Sequence, residues 1–208
     1  MLEKKNYQII LDRKLDEIKN SQKTPSLLLH SCCGPCSSYV LEYLSHYFKI
    51  TVFYFNPNIY PTEEYYFREK EQESLIKMMP FENPVSFMRA PYVPEDYYKA
   101  VSGHEQDPER GGRCTICYEQ RLEETAKKAK EEGFDFFTTT LSISPYKDAQ
   151  RLNEIGKRME EKYGVEYLYS DFKKRQGFKR SIELSNEYDM YRQNYCGCEF
   201  SFRSRKKD

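Results

Sequence analysis

The chain has 208 residues, of which 32% are charged and 38% hydrophobic, and its formal net charge at pH 7 is zero. This length suffices for one domain with a substantial core, and the balanced charge excludes a chain-wide electrostatic attraction to nucleic acid. No stretch is apolar enough to span a membrane, and the charged N-terminus lacks the apolar core of a signal peptide, so we expect a cytoplasmic protein without a membrane partner.

Helical and strand patterns alternate along the chain. Apolar residues at helical spacing predict helices over residues 2–20, 37–48, 62–79, 114–133, 148–162 and 180–190, with a helical turn over 96–101. Ser37 or Ser38 is the expected N-cap of the second helix. Short β-branched, aromatic or apolar runs predict strands over residues 26–29, 49–55, 85–88, 134–141 and 165–169.

This alternation predicts an α/β fold with a mainly parallel sheet and flanking helices, because no tight hairpin dipeptide joins two strands. We expect a single domain over 1–208, made of an N-terminal helix and linker (1–24), an α/β core (25–170) and a helical, basic C-terminal segment that bears cysteines (171–208). Ligands bind such sheets outside the carboxyl ends of the strands. The turns over 32–36 and 142–147 both follow strands and are therefore expected to face one crevice.

The seven cysteines form three groups: Cys32, Cys33 and Cys36; Cys114 and Cys117; and Cys196 and Cys198. Stable disulfides are disfavoured in the cytoplasm, so the grouping predicts metal binding or redox chemistry. Two groups at helix starts can supply four thiolates to zinc or to an iron–sulfur cluster. The Cys-Gly-Cys sequence would close a small, strained and easily reduced disulfide, which suits a redox pair.

Two other interpretations stay open at this point. Cys33-Gly34-Pro35-Cys36, between a strand and a helix, resembles the active site of thioredoxin-like thiol–disulfide oxidoreductases. Cys32, however, stands where that family usually has Trp, and the Cys114 and Cys117 pair would have no role. A zinc-stabilised module is the other alternative, since zinc accepts four cysteines, but it leaves three thiols unexplained.

Four motifs together resemble the QueH-type epoxyqueuosine reductases. They are His-Ser-Cys-Cys-x-Pro at 30–35, Arg-Cys-x-x-Cys-Tyr-x-x-Arg-Leu at 113–122, Thr-Thr-Leu-x-x-Ser-Pro-Tyr-Lys at 139–147 and Tyr-Cys-Gly-Cys at 195–198. The resemblance implies an iron-dependent, cobalamin-independent oxidoreductase of queuosine biosynthesis. Its reaction would be the two-electron reduction of the epoxide of epoxyqueuosine to an alkene at the tRNA wobble position, with electrons from a donor that is not identified. It also implies a Rossmann-like fold of the adenine nucleotide α-hydrolase type.

Site residues follow from the same resemblance. The positions that match the ligands of a [4Fe–4S] cluster are Cys32, Cys33, Cys114 and Cys117, and those that match the redox-active pair are Cys196 and Cys198. The resemblance also allows an additional iron ion beside the cluster, bound by some of these cysteines and with Cys36 as a further candidate ligand.

The tRNA substrate implied by the resemblance gives the local basic clusters a function, and it turns the zinc alternative into a non-catalytic, zinc-stabilised tRNA-binding module. Lys and Arg side chains can hold phosphates, and tyrosines can stack on the bases of an anticodon loop. We therefore expect tRNA contacts from Lys173, Lys174, Arg175, Lys179 and Arg180, and from the basic tail over 203–207. Tyr146 and Lys147 are candidates for substrate contact, whereas His30 is expected to be a hydrogen-bond partner at a strand end rather than a ligand.

Overall fold

A computed structural model describes residues 5–205 and contains a sheet of five strands, all parallel. The strands are β1 (Ser26–His30), β2 (Lys49–Tyr54), β3 (Val85–Arg89), β4 (Phe136–Thr139) and β5 (Glu166–Tyr167). Their order across the sheet is β3-β2-β1-β4-β5, so β1 lies at the centre. The expected α/β fold with a parallel sheet is confirmed, and it is consistent with a Rossmann-like fold.

Helices flank this sheet and connect its strands. They are α1 (Tyr7–Ser21), α2 (Gly34–Leu44), α3 (Thr62–Met78), α4 (Pro94–Ala100), α5 (Gly112–Glu132), α6 (Ala149–Tyr163), α7 (Gly177–Glu187) and α8 (Glu199–Arg205), with a 3₁₀ turn at Thr140–Ile143. None of the helices within residues 5–205 is both long and apolar enough to cross a membrane.

The central strand shows why both faces of the sheet are covered. Leu28 packs into a core with residues of α5 and α6, whereas Leu27 and Leu29 pack into a second core with residues of α1 and α2. Successive side chains of a strand point to opposite faces, so an uninterrupted apolar run needs a helical layer on each side. Three consecutive leucines thus specify a three-layer arrangement.

The prediction for the start of α2 is wrong by a few residues. The helix begins at Gly34 with Cys33 in the N-cap position, not at Ser37 or Ser38. Pro35 stabilises this earlier start because its fixed φ suits the first turn of a helix, where a missing N–H costs nothing. The consequence is that Cys36 lies in the first helical turn, directly beside the strand end.

Two strand predictions are too long. Residues 140–143 form the 3₁₀ turn instead of continuing β4, and the Thr139 hydroxyl accepts a hydrogen bond from the Leu141 amide at 3.2 Å. The last strand spans only two residues, Glu166 and Tyr167, rather than 165–169.

The C-terminal segment folds back over the carboxyl edge of the sheet. Helix α7 packs on α2 so closely that a Cβ added to Gly177 would lie 2.4 Å from Cε1 of Tyr39. After α7 the chain returns toward the loop that follows β2, where the Tyr60 amide donates to the Gly197 carbonyl oxygen at 2.8 Å. The Tyr195 hydroxyl donates to the Tyr60 carbonyl oxygen at 2.6 Å. These bonds place the Cys-Gly-Cys sequence near the ends of the central strands.

Candidate metal and thiol site

A cavity of about 500 Å³ lies at the carboxyl edge of the sheet. It is lined by Cys32 and Cys36 from the turn after β1, by Ser144 and Lys147 from the segment after β4, and by Cys196 from the C-terminal segment. The expectation that the two turns face one crevice is confirmed. The structure adds the Cys-Gly-Cys segment as a third wall, and the alternation of strands and helices could not reveal that wall.

The first cysteine group is compact. The sulfur atoms of Cys32, Cys33 and Cys36 all lie within 4.8 Å of one another, and those of Cys32 and Cys33 are 3.7 Å apart. Cys33 has no exposed surface, and its sulfur accepts a hydrogen bond from Nε2 of Gln193 at 3.0 Å. These three thiols can hold a metal ion.

Without a cation, the ionisation of one thiol in this group disfavours the ionisation of the other two. Hydrogen bonds from Cys33 and Cys36 lower the pKa of Cys32, and in return the Cys32 thiolate raises the pKa of Cys33 to about 12 and that of Cys36 well above its usual range. Metal ligands must be thiolates, so a bound cation would release the remaining protons. The group is therefore suited to a cation with soft ligands.

The second group straddles two environments at the start of α5. Cys114 packs in the same core as Cys32 and Cys33, and its sulfur accepts a hydrogen bond from the Arg110 amide at 3.3 Å. Cys117 instead packs with Cys198, and burial raises its pKa to about 12. The structure thus brings Cys114 into one core with the first group, and neither cysteine of this pair belongs to the 4.8 Å cluster of sulfurs.

The two cysteines of the third group also differ from each other. All seven cysteines, which fall within the described residues, are free thiols. Cys196 lies in the cavity wall with its sulfur 2.6 Å from Nζ of Lys147. Cys198 is 6% exposed and packs against Tyr97, and its pKa is raised by burial and by the charge of Cys196. The cavity therefore gives access to one member of the pair.

Cationic side chains face the thiols from three elements. Burial alone would lower the pKa of Lys147, but the Cys196 thiolate and the Tyr118 hydroxyl raise it above its ordinary value, so the amine carries its charge at neutral pH. Arg121 and Arg68 are buried close to the thiols of the first two groups.

Sequence reasoning gave neither Arg68 nor Arg121 a role. The pattern of each helix contains a signal, because a charged residue occupies a position on the face that the apolar residues define. Arg121 lies four residues after Cys117 and seven after Cys114, on the buried face of α5. Arg68 shares the buried face of α3 with Tyr65.

The expected role of His30 is confirmed. Its Nδ1 lies 2.9 Å from the Thr139 hydroxyl and its Nε2 lies 3.1 Å from the Phe55 carbonyl oxygen. Burial, and next the charge of Arg121, lower the pKa of His30 to about 3. A neutral His30 thus joins the ends of β1 and β4 and the loop after β2.

The basic segment around the start of α7 is heavily paired with acidic residues. The pairs are Lys173 with Asp171, Arg175 with Asp12, Lys179 with Glu183, and Arg180 with Glu42, Glu183 and Glu187. Lys174 is exposed and contributes to none of these pairs. Helix α7 borders the cavity through Phe178 and Ser181, which places this segment beside the opening. In the basic tail, Arg203 pairs with Glu199, whereas the Arg205 side chain and residues 206–208 lie outside the described part.

Tyr146 is 61% exposed at the cavity rim, where the guanidinium carbon of Arg110 lies 5.7 Å from the centre of its ring. A flat, exposed ring backed by a cation can stack on a nucleobase. Substrate contact by Tyr146 and Lys147 stays a prediction.

Comparison with known proteins identifies the family. A family model described as "Epoxyqueuosine reductase QueH" matches residues 27–204. Proteins with the same name include one of Streptococcus pyogenes serotype M1, 42% identical over 96% of this chain and 79% of its own length, and one of Staphylococcus epidermidis, 43% identical over 96% and 85%. A third, from Thermotoga maritima, is 36% identical over 88% of this chain and 93% of its own length. The chain belongs to the epoxyqueuosine reductase QueH family.

Proposed function

We propose that the cysteine-lined cavity is the active site at which this enzyme reduces epoxyqueuosine to queuosine in tRNA, the last step of queuosine biosynthesis. The observation that carries the proposal is the convergence of Cys32, Cys36 and Cys196 on one cavity at the carboxyl edge of a parallel sheet. That edge is where α/β proteins of this type bind their ligands. The reaction consumes two electrons and two protons, converts the epoxide to an alkene and releases one water molecule.

The donor set fits an iron–sulfur cluster. Cys32, Cys33, Cys114 and Cys117 would hold a [4Fe–4S] cluster, and all of these except Cys117 pack in one core. Cys36, whose sulfur lies within 4.8 Å of those of Cys32 and Cys33, would be a ligand of an additional iron ion. Buried thiols that cannot all ionise without a cation, together with buried arginines facing them, suit an iron centre held by thiolates. When bound, such a centre supplies single electrons and a Lewis acid for oxygen. The proposal includes no cobalamin.

The chain's own residues supply the remaining steps. Cys196 and Cys198 would store two electrons as a dithiol, since their oxidation to a disulfide releases two electrons and two protons, which equals the requirement of the epoxide. Lys147 contacts Cys196 and faces the cavity, where its ammonium can hold a proton close to the oxygen of the substrate. An external reductant must then reduce the disulfide, and the cytoplasm, where thiols are kept reduced, suits such an exchange.

Two observations favour this proposal over thiol exchange at Cys33 and Cys36. A thioredoxin-like enzyme needs an accessible first cysteine with a lowered pKa. Cys33 has no exposed surface, and the neighbouring Cys32 thiolate raises its pKa to about 12. The zinc module differs from the proposal in the metal it holds and in lacking turnover.

Anaerobic purification followed by metal analysis tests the proposal. We expect a brown protein with several irons per chain and broad absorbance near roughly 400 nm. With a reductant, this protein should convert epoxyqueuosine-containing tRNA to queuosine-containing tRNA, as measured by nucleoside chromatography after digestion. A colourless zinc protein without turnover would refute the proposal.

Charge reversal tests the basic segment separately. Lys174→Glu and Lys179→Glu should weaken tRNA binding and reduce its dependence on salt, because each lysine near a phosphate releases counterions on binding. Lys157→Glu removes a lysine that is 59% exposed on α6, and serves as the matched control. Equal affinities of all variants over a range of salt concentrations would exclude this segment from the tRNA interface.

A further inference from the structure

Two arginines beside the thiols are buried without acceptors for all of their N–H groups. Arg68 on α3 has no exposed surface, and its Nε donates to Glu64 at 2.7 Å, but its Nη1 and Nη2 have no hydrogen-bond partner. Arg121 on α5 is 2% exposed, and its Nε donates to the carbonyl oxygen of Cys117 at 3.2 Å, while its Nη2 has no partner. Each guanidinium thus presents unused donors inside the protein.

Donors without acceptors destabilise the folded state unless an anion accepts their hydrogen bonds. A buried N–H without an acceptor costs about 1–3 kcal/mol, and a buried charge requires a partner of opposite sign. Arg113, also buried, shows how this chain satisfies an arginine for structural purposes, since its Nη1 donates to the carbonyl oxygens of His104, Glu105 and Asp107, although its Nε is buried without an acceptor. Arg68 and Arg121 lack such a set of carbonyl oxygens.

Besides Glu64, which accepts a hydrogen bond from Nε of Arg68, the anions that act on the two guanidiniums are thiolates. Burial alone would lower the pKa of each arginine, but the charge of Cys33, the hydrogen bond and charge of Glu64, and next the charge of Cys32 raise the pKa of Arg68. The charges of Cys117 and Cys32 raise the pKa of Arg121. Arg121 also forms part of the cavity wall with Cys32. The two cations therefore flank the thiols of the first and second groups.

Arg68 also contacts the Cys-Gly-Cys segment. A Cβ added to Gly197 would lie 3.1 Å from Nη1 of Arg68, and the guanidinium carbon lies 5.2 Å from the centre of the Tyr195 ring. This cation is therefore enclosed between the first cysteine group and the proposed redox pair.

We propose that Arg68 and Arg121 are the fixed counter-charges of the metal–thiolate centre, which retain its negative charge in the buried site and raise its reduction potential. This inference rests on the iron–sulfur site of the proposed function. An iron–sulfur cluster bound by four thiolates is anionic, and it becomes more negative by one charge when it accepts an electron. Nearby positive charges therefore favour the reduced form. Both arginines act through the centre and are positioning residues.

A phosphate of the tRNA is the other anion that arginines bind. Arg68 is completely buried, so a phosphate cannot reach it from the cavity. The Nη2 atom of Arg121 is likewise buried, although its side chain contributes to the cavity wall. Buried donors without acceptors therefore suit an anion that stays in the protein, such as a metal–thiolate centre, rather than a substrate that binds from solvent.

A redox titration of the iron-loaded enzyme, without tRNA, tests the inference. Arg121→Met should make one-electron reduction of the cluster at least about tenfold less favourable, a shift of about 59 mV to lower potential. Arg121→Lys, which retains the charge, should restore most of this shift. Arg158→Met removes a surface arginine that is 52% exposed and should leave the potential unchanged.

Arg68 requires a reference variant, because its loss alone would leave Glu64 unpaired. Compared with Glu64→Gln, the double variant Glu64→Gln with Arg68→Met lacks one positive charge and should shift the potential in the same direction as Arg121→Met. This comparison carries the test if Arg121→Met does not fold. If folded Arg121→Met, checked by circular dichroism, loses iron while Arg121→Lys retains it, the counter-charge is also supported.

Two further outcomes separate this inference from the proposed function. Unchanged potentials in both methionine variants, in an enzyme that binds a cluster and turns over, would overturn the role of the arginines alone. A wild-type protein that binds no cluster would overturn both proposals.

Discussion

Replacing Lys147 with methionine tests whether its ammonium makes Cys196 more reactive than Cys198. The change removes the ammonium that lies 2.6 Å from the Cys196 sulfur and keeps an unbranched side chain of similar bulk. A hydrogen bond to a charged group contributes about 1.5–3 kcal/mol, and 1.4 kcal/mol corresponds to tenfold in an equilibrium constant. Because Lys147 and Cys196 are partly exposed, we expect the lower end of this range, a loss of about tenfold in the rate at which Cys196 is alkylated.

Alkylation kinetics measure this reactivity at a single residue. The metal-free, reduced protein is treated with iodoacetamide at neutral pH, and peptide mass spectrometry follows Cys196 and Cys198 separately. The alkylation rate of Cys196 should fall about tenfold in Lys147→Met and recover in Lys147→Arg, whereas Lys157→Met, on the surface of α6, should have no effect. An identical rate in Lys147→Met and wild type would show that the ammonium does not activate this thiol.

Three further predictions concern stability and metal binding. In Gly156→Ala the new Cβ would lie 2.3 Å from Cε1 of the buried Tyr167 ring. Overpacking destabilises a core by about 1–3 kcal/mol, which outweighs a gain in helix propensity of about 1 kcal/mol. The midpoint of urea unfolding should therefore fall, and a higher midpoint would contradict this packing. Asp135 accepts hydrogen bonds from the amide and the hydroxyl of Ser26 at 2.8 and 2.7 Å, which lower its pKa. Asp135→Ala should therefore lower the free energy of unfolding at pH 7, and the deficit should shrink as the pH falls below about 4; a deficit independent of pH would exclude the carboxylate as its cause. Cys33→Ala should abolish iron binding measured by elemental analysis, and undiminished iron content would remove this thiol from the ligand set.

The sequence predicted the layers of the fold well because they depend on local patterns. Three consecutive leucines in β1 require cover on both faces of the sheet, and the absence of hairpin turns requires crossover connections. The start of α2 was misplaced because two serines offered good N-caps, whereas Pro35 favoured an earlier first turn. The short last strand could not be predicted, since its length depends on pairing with β4 alone.

The cysteine groups were predicted from spacing, but the differences within each group were not. Cys32 and Cys33 are neighbours in sequence, yet hydrogen bonding lowers the pKa of one and raises that of the other. Cys196 and Cys198 are two residues apart, yet only Cys196 is a cavity-lining residue. These differences arise from depth and from partners distant in sequence, such as Gln193, 160 residues from Cys33.

The distribution of cations would explain how one cavity could serve both the proposed metal centre and the proposed redox pair. Arg121 is enclosed near Cys32 and Cys117. Its guanidinium is always charged, which suits an anion that stays in the site. Lys147 contacts Cys196 at the cavity. Its ammonium, unlike a guanidinium, can donate a proton during a reaction. An arginine does not lose a proton at neutral pH and cannot act as an acid. The reduction of an epoxide to an alkene consumes two protons, which other groups must supply. The buried thiols therefore face guanidiniums that stabilise charge, and the accessible thiol faces an ammonium that can also supply a proton.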